Sequence, residues 1–296
     1  MHYLEKHPMI MIVVGIIGIS LSAIFVKYSQ APSVVTAAYR LLWTVLLMSP
    51  VVLLKKNRRA ELFSTAKKTV MLCAVSGVFL ALHFAIWFES LKHTSVASST
   101  TIVCTEVIWV ALGFCLVMHG HLSARSVLAI IITLLGSLLI AWSDSSSGGN
   151  HLYGDVLALL AAMAVAVYTL IGRVARTTTS TTIYTYIVYL CSAITLVAIT
   201  AVQGLPLTGY GSSGIIVGLL LSVFSTILGH SIFSWCLKFL SPAFVSASKL
   251  CEPVVAALFA VFLFHEIPGV LQIAGGLIIL SGVIFYSRLE TKGASL

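Results

Sequence analysis

The sequence predicts an all-α integral membrane protein of ten transmembrane helices, arranged as two inverted five-helix repeats. Three observations predict it: long uninterrupted apolar stretches, a one-sided distribution of basic residues, and a repeat at a fixed offset of 146 residues. Of 296 residues, 59% are hydrophobic and only 9% charged, with a mean hydropathy of +1.08. Soluble domains carry about a quarter charged residues, so the apolar excess has to be covered by lipid.

Crossing roughly 30 Å of hydrocarbon takes about 20 apolar residues of helix. Ten stretches qualify, at about residues 8–26, 34–54, 70–90, 95–118, 124–142, 152–173, 182–202, 214–236, 242–264 and 268–286. Continuous runs of this length are helices; barrel strands are half as long and alternate in polarity. The first run is too long for a signal-peptide core and no small-residue cleavage site follows it, so it is expected to be retained. The connections are short and leave no room for a second domain. The longest outer one, Ser143 to His151, is polar and Gly-rich and divides the chain into halves of 1–146 and 147–296.

Basic residues set the orientation, because Lys and Arg collect on the cytoplasmic side. With the N-terminus inside, the cytoplasmic connections hold thirteen of them, among them Lys6, Lys55, Lys56, Arg58, Arg59, Lys67, Lys68, Arg173, Arg176 and Lys238, against Lys27 and Lys92 outside. Both termini are then cytoplasmic. The net charge of +8 is accounted for by this asymmetry and gives no reason to expect a nucleic-acid partner. The six cysteines lie in apolar stretches without a CxxC pair, which argues against a disulfide or metal framework.

The repeat is read without gaps. A shift of 146 places Leu91-Lys92 on Leu237-Lys238, Ser95 on Ser241, Glu106 on Glu252, His119 on His265 and Gly136 on Gly282. Matches of Lys, Glu and His carry weight in so apolar a chain. Five helices is an odd number, so the second copy enters the membrane from the opposite side. Inverted repeats of this kind are a design of secondary transporters, with the substrate site near the midplane.

The segment from Leu250 to Glu266, an apolar run opened by Glu252-Pro253 and closed by Glu266, precedes Gly275, Gly276 and Gly282. This segment, in a ten-helix duplicated chain, resembles the drug/metabolite transporter superfamily, and within it the EamA-type permeases. The first repeat departs from the pattern: Val107 stands for the Pro and Gly120 for the closing Glu. The resemblance implies an inner-membrane carrier of small metabolites, often an amino-acid exporter, and does not choose among substrates.

Charged groups at bilayer depth cost about 2.5 to 3.5 kcal/mol even on insertion scales, so each is a candidate for function. Glu106 and Glu252 stand roughly 13 to 14 Å into the membrane from opposite faces, at 1.5 Å per helical residue, and converge on the midplane. Lys249 precedes Glu252 by three residues and shares its helix face; the two either pair or bind substrate. If they pair, Glu106 is the carboxyl left to take a proton, with Arg40 as its alternative counter-ion. His83 and His230 could relay protons or bond neighbouring carbonyls. His83, Trp87 and Ser90 recur at helical spacing and form a stripe facing either a cavity or a packed neighbour, and Tyr168, Trp109 and Trp235 carry the same choice. Pro253 should bend the ninth span. Gly15, Gly18, Ser22, Gly275 and Gly276 permit close helix approach.

No Walker loop, zinc-ligand spacing or nucleophile elbow occurs, so no cofactor or metal is expected and nothing supports an enzyme mechanism. The expected function is a monomeric secondary carrier that exports amino acids or related zwitterions by alternating access, with protons as a coupling partner. A drug-type carrier of organic cations is the alternative; a membrane-embedded enzyme or receptor is a remote one.

Overall fold

The computed structural model describes residues 8–94, 96–144, 152–264 and 269–293. Among them every regular element is a helix. The first span is broken into α1 (Pro8–Ser20) and α2 (Ser22–Lys27), and the second is α3 (Ser33–Leu53). The third is α5 (Lys67–His93), and the fourth is broken into α6 (Val96–Cys104) and α7 (Glu106–Leu116). The first half ends with α8 (Ala124–Asp144). In the second half α9 (Leu152–Ala175) and α10 (Thr181–Val202) are continuous. The eighth span runs through α11 (Gly211–Leu220), a π-helical stretch Leu221–His230 and α12 (Ser231–Cys236). The ninth is broken into α13 (Pro242–Lys249) and α14 (Glu252–Phe264), and α15 (Val270–Gly293) is the tenth. Each of the ten expected stretches is therefore helical. Lys6, Ser95, His265, Glu266 and most of the Ser143–His151 connection lie outside the described residues.

One connection is not the plain linker the sequence suggested. Between the second and third spans lies α4 (Lys56–Ser64), a basic surface helix that buries no side chain fully. It is tied down by Glu61, whose Oε1 accepts from the backbone N–H of Ser180 at 2.9 Å while Oε2 pairs with Arg58 at 3.0 Å. Ser180 is the N-cap of α10, its hydroxyl accepting from Ile183 N–H.

The helix pairings carry the duplication. The third span packs on the sixth as the eighth packs on the first, and the seventh packs on the third as the second packs on the eighth. The fourth packs on the sixth as the ninth packs on the first, while the second meets the seventh and the fifth meets the tenth. Exchanging each span for the one five later leaves these pairings unchanged, as a pseudo-twofold relation between five-helix halves requires. One core cluster joins the second, third, sixth and seventh spans with Ala23 of the first and Val217 and Leu221 of the eighth, and another joins the first, fourth, fifth, eighth, ninth and tenth. Large apolar side chains such as Val13, Leu46, Met71, Leu138, Ile194 and Ile284 point outward, where lipid covers them.

Glycine sets the closest approaches. A Cβ on Gly136 would stand 2.7 Å from the Gly275 carbonyl oxygen, and one on Gly275 would stand 2.8 Å from that of Gly136, so α8 and α15 cross backbone to backbone. Gly18 similarly faces the backbone of Phe224 and Gly229. Gly276, expected to serve in the same way, meets Val254 only at ordinary contact distance, 3.7 Å.

Candidate functional site

The fourth and ninth spans break at equivalent positions. Their first segments begin at Val96 and Pro242, and their second segments begin at Glu106 and Glu252, each pair separated by the repeat offset of 146. At the first break Thr105 N–H donates to Ile102 O at 3.0 Å and Ile108 N–H to Thr105 O at 2.9 Å; at the second, Leu250 N–H and Cys251 N–H donate to Ala247 O and Ser248 O, both at 3.1 Å. Such bonds to the third residue back tighten the turn. Pro253, which has no N–H, accounts for the ninth-span break. The fourth span has no proline there. Its Thr105 hydroxyl instead donates to Ile102 O at 2.6 Å and competes with the helix ladder. Each break leaves a glutamate in the first turn of a new helix, where the positive end of the helix dipole favours a carboxylate.

A cavity of about 40 Å³ lies where these breaks meet the first, second, third, sixth and eighth spans. It is large enough for a few waters, at roughly 10 to 15 Å³ of such volume each. Of the eight residues singled out from the sequence, Arg40, His83, Trp87, Glu106, His230, Lys249 and Glu252 all line it. Tyr168 does not: its ring lies edge-on to His230 at 6.2 Å and its hydroxyl bonds Ser234 Oγ at 2.9 Å, one layer behind the wall. Ser90 is likewise in packing, donating to Trp87 O at 2.8 Å.

The partner of Lys249 corrects the in-helix expectation. Its Nζ donates to Glu106 Oε1 at 2.8 Å, and the pair is nearly sealed, with side-chain exposures of 9% and 4%. Spacing places Lys249 and Glu252 on one face, but α13 packs against α7, which brings the carboxylate of the other half within reach of the ammonium. The ion pair joins the two repeats. Among the described residues the Glu252 carboxylate has neither an ion pair nor a hydrogen bond, and the charged groups acting on it are Lys249, Glu106 and Arg40. A Lys249–Glu252 pair would have left Glu106 free; with Lys249 on Glu106, the free carboxyl among the described residues of the cavity wall is Glu252. The backbone there meets the first-span break, since Ser20 Oγ lies 3.3 Å from the Glu252 carbonyl oxygen.

Arg40 is fully buried and is not the counter-ion of Glu106. Its Nε donates to Thr226 Oγ1 at 2.7 Å, Nη1 donates to Ser22 Oγ at 3.3 Å, and the guanidinium lies 3.9 Å over the Phe84 ring. The π-helical stretch supplies Thr226 and ends at His230, as wide turns at ligand-facing positions commonly do. His83 Nδ1 donates to Ala161 O at 3.0 Å, the carbonyl-bonded alternative weighed for it, and its ring stacks on Trp87 at 5.9 Å. The His83 and His230 rings stand 6.4 Å apart. Sequence reasoning missed Ser22 as a polar contact and Thr100 as a wall residue; the Ser-Ser-Thr-Thr run at 98–101, polar within an apolar span, was the available signal.

Comparison with known proteins agrees with this architecture. The chain is 23% identical over 214 residues to an uncharacterized transporter of Archaeoglobus fulgidus, covering 71% of this chain and 72% of that one. It is 22% identical over 294 residues to an uncharacterized transporter of Clostridium kluyveri, covering 92% and 93%. Against the uncharacterized transporter YxxF of Bacillus subtilis the identity is 25% over 281 residues, covering 92% and 85%. A solved crystal structure superposes with a TM-score of 0.77 at 14% identity, covering 97% of this chain and 98% of the other, a likeness of fold alone. The EamA-like transporter family model matches twice, over residues 7–142 and 152–288. Duplicated halves, mirrored breaks and a charged cavity between them are thus those of a transporter, and the chain belongs to the EamA-like transporter family.

Proposed function

We propose that this chain is a secondary carrier of small zwitterions, amino acids foremost, which it exports by alternating access with a proton as the exchanging ion. The observation that supports this most is the cavity wall: two cations, Arg40 and Lys249, and two carboxylates, Glu106 and Glu252, surround one buried space. A ligand carrying both charges matches such a wall better than one carrying a single sign. The small cavity volume fits a closed state, from which rocking of the halves would open either side. Glu252, the carboxyl without a partner, is the group where a proton and a substrate ammonium compete. The chain acts as a monomer in the inner membrane with both termini cytoplasmic, because one chain holds both repeats and its bases gather at one side.

A second reading, a carrier of organic cations, draws on the carboxylates Glu106 and Glu252 and on Trp87, whose ring attracts cations. Arg40 and Lys249 weigh against it. Counterflow decides between them: proteoliposomes preloaded with leucine or phenylalanine should take up the labelled amino acid saturably, and less so at acidic pH. Uptake of an organic cation with no exchange of any amino acid would overturn the proposal.

A further inference from the structure

The four charges around the cavity are not equivalent. Lys249 and Glu106 neutralise each other at 2.8 Å, which leaves one cation and one carboxylate on the same wall, Arg40 and Glu252, with no ion pair among the described residues. A guanidinium held on neutral oxygens at Nε and Nη1 has an incomplete environment. Its Nη2 is buried and has no hydrogen-bond partner. Two further groups of the wall share that condition: the indole Nε1 of Trp87 and the hydroxyl of Thr100. Burying a polar group without a bond is costly, and burying an unpaired charge more so. Three such groups on residues that line one cavity, one of them cationic and two able only to donate, describe a place for an anionic acceptor.

We infer that Arg40, Trp87 and Thr100 form the subsite for the carboxylate of the substrate, that Glu252 receives its ammonium group, and that Lys249 takes no part in recognition. This rests on the zwitterion reading above and goes beyond it by assigning each end. It also sets aside the substrate-binding alternative for Lys249, whose ammonium is occupied by Glu106. The guanidinium is prepared for the role: Thr226, Ser22 and the Phe84 face fix its plane, so little freedom is lost when the carboxylate arrives.

The test uses the purified full chain and a matched set of ligands: phenylalanine, 3-phenylpropanoate, which lacks the amine, and 2-phenylethylamine, which lacks the carboxylate, with Kd read from thermal-shift titration. Trp87→Phe keeps the ring and removes the donor, and Thr100→Val keeps the shape, so both avoid stranding a buried charge as an Arg40 variant would. A hydrogen bond to a charged group is large enough to set an expected weakening of about tenfold. Each variant should weaken phenylalanine and 3-phenylpropanoate by that factor and leave 2-phenylethylamine within about twofold, while Glu252→Gln should weaken only the two amine-bearing ligands. Unchanged carboxylate binding in both Trp87→Phe and Thr100→Val, or an equal loss for all three ligands, overturns the subsite and leaves the zwitterion reading standing. If 2-phenylethylamine binds the wild type and neither carboxylate does, or none of the three binds, both fall.

Discussion

Removing Lys249 alone should damage the protein far more than removing it together with Glu106. At 2.8 Å the Coulomb attraction is about 6 kcal/mol for an effective dielectric near 20, and it is opposed by a desolvation penalty of several kcal/mol per ion. The pair therefore adds little net stability over an apolar replacement. Lys249→Met, however, strands the Glu106 carboxylate at 4% exposure, and breaking a buried pair from one side costs about 3–5 kcal/mol. Unfolding entropy of about 2.1 cal/mol/K per residue over 296 residues converts this to a fall in Tm of roughly 5–8 °C. Glu106→Gln should fall by a similar amount, and the double variant should recover most of either loss. Thermal unfolding of the four proteins in one detergent completes the cycle. Additive losses, or a coupling that appears with Glu252→Gln in place of Glu106→Gln, would refute the cross-repeat pair.

Exchange by Glu252→Gln should lose the pH dependence of the wild type, whereas any exchange left in Glu106→Gln should retain it; counterflow at neutral and acidic pH reads both. Gly275→Ala puts a Cβ 2.8 Å from the Gly136 carbonyl, a backbone atom that cannot turn aside; a loss of about 1–3 kcal/mol should appear in Tm, and a neutral result would contradict the close crossing. Glu61 lies outside the spans: burial pushes its carboxyl up, but bonds from Ser180 and Arg58 outweigh this and hold it below the ordinary value. A depressed carboxyl stabilises the fold above its unfolded pKa and loses that contribution as pH falls through the folded one. The Tm difference between wild type and Glu61→Gln should thus be constant from about pH 8 to 5 and shrink as pH falls below the ordinary Glu value of about 4.3, with the ion-pair part under about 1 kcal/mol.

The spans were legible because lipid imposes an uninterrupted apolar run wherever the chain crosses, and the bounds found for α3, α5 and α10 differ from those expected by only a few residues. The cavity residues were legible for the same reason: Glu106, Lys249, Glu252 and Arg40 cannot face lipid, so they face one another. Their pairing was not. Spacing within a helix names neighbours at three and four residues, whereas the acceptor of Lys249 comes from the other half of the chain. The break at Thr105 was hidden because no proline marks it, and the π-helical stretch because Thr226 resembles an ordinary small packing residue until Arg40 is placed against it. The α4 helix escaped because a nine-residue polar segment carries no apolar period to read.

The central claim, a substrate cavity between the halves that opens to either side, can be tested at Cys104, a native residue of the cavity wall. With the other five cysteines replaced, a membrane-impermeant thiol reagent should reach Cys104 from each face of oriented vesicles in separate experiments, and phenylalanine should slow both reactions. Labelling from one face alone, or labelling indifferent to the amino acid, would contradict the account.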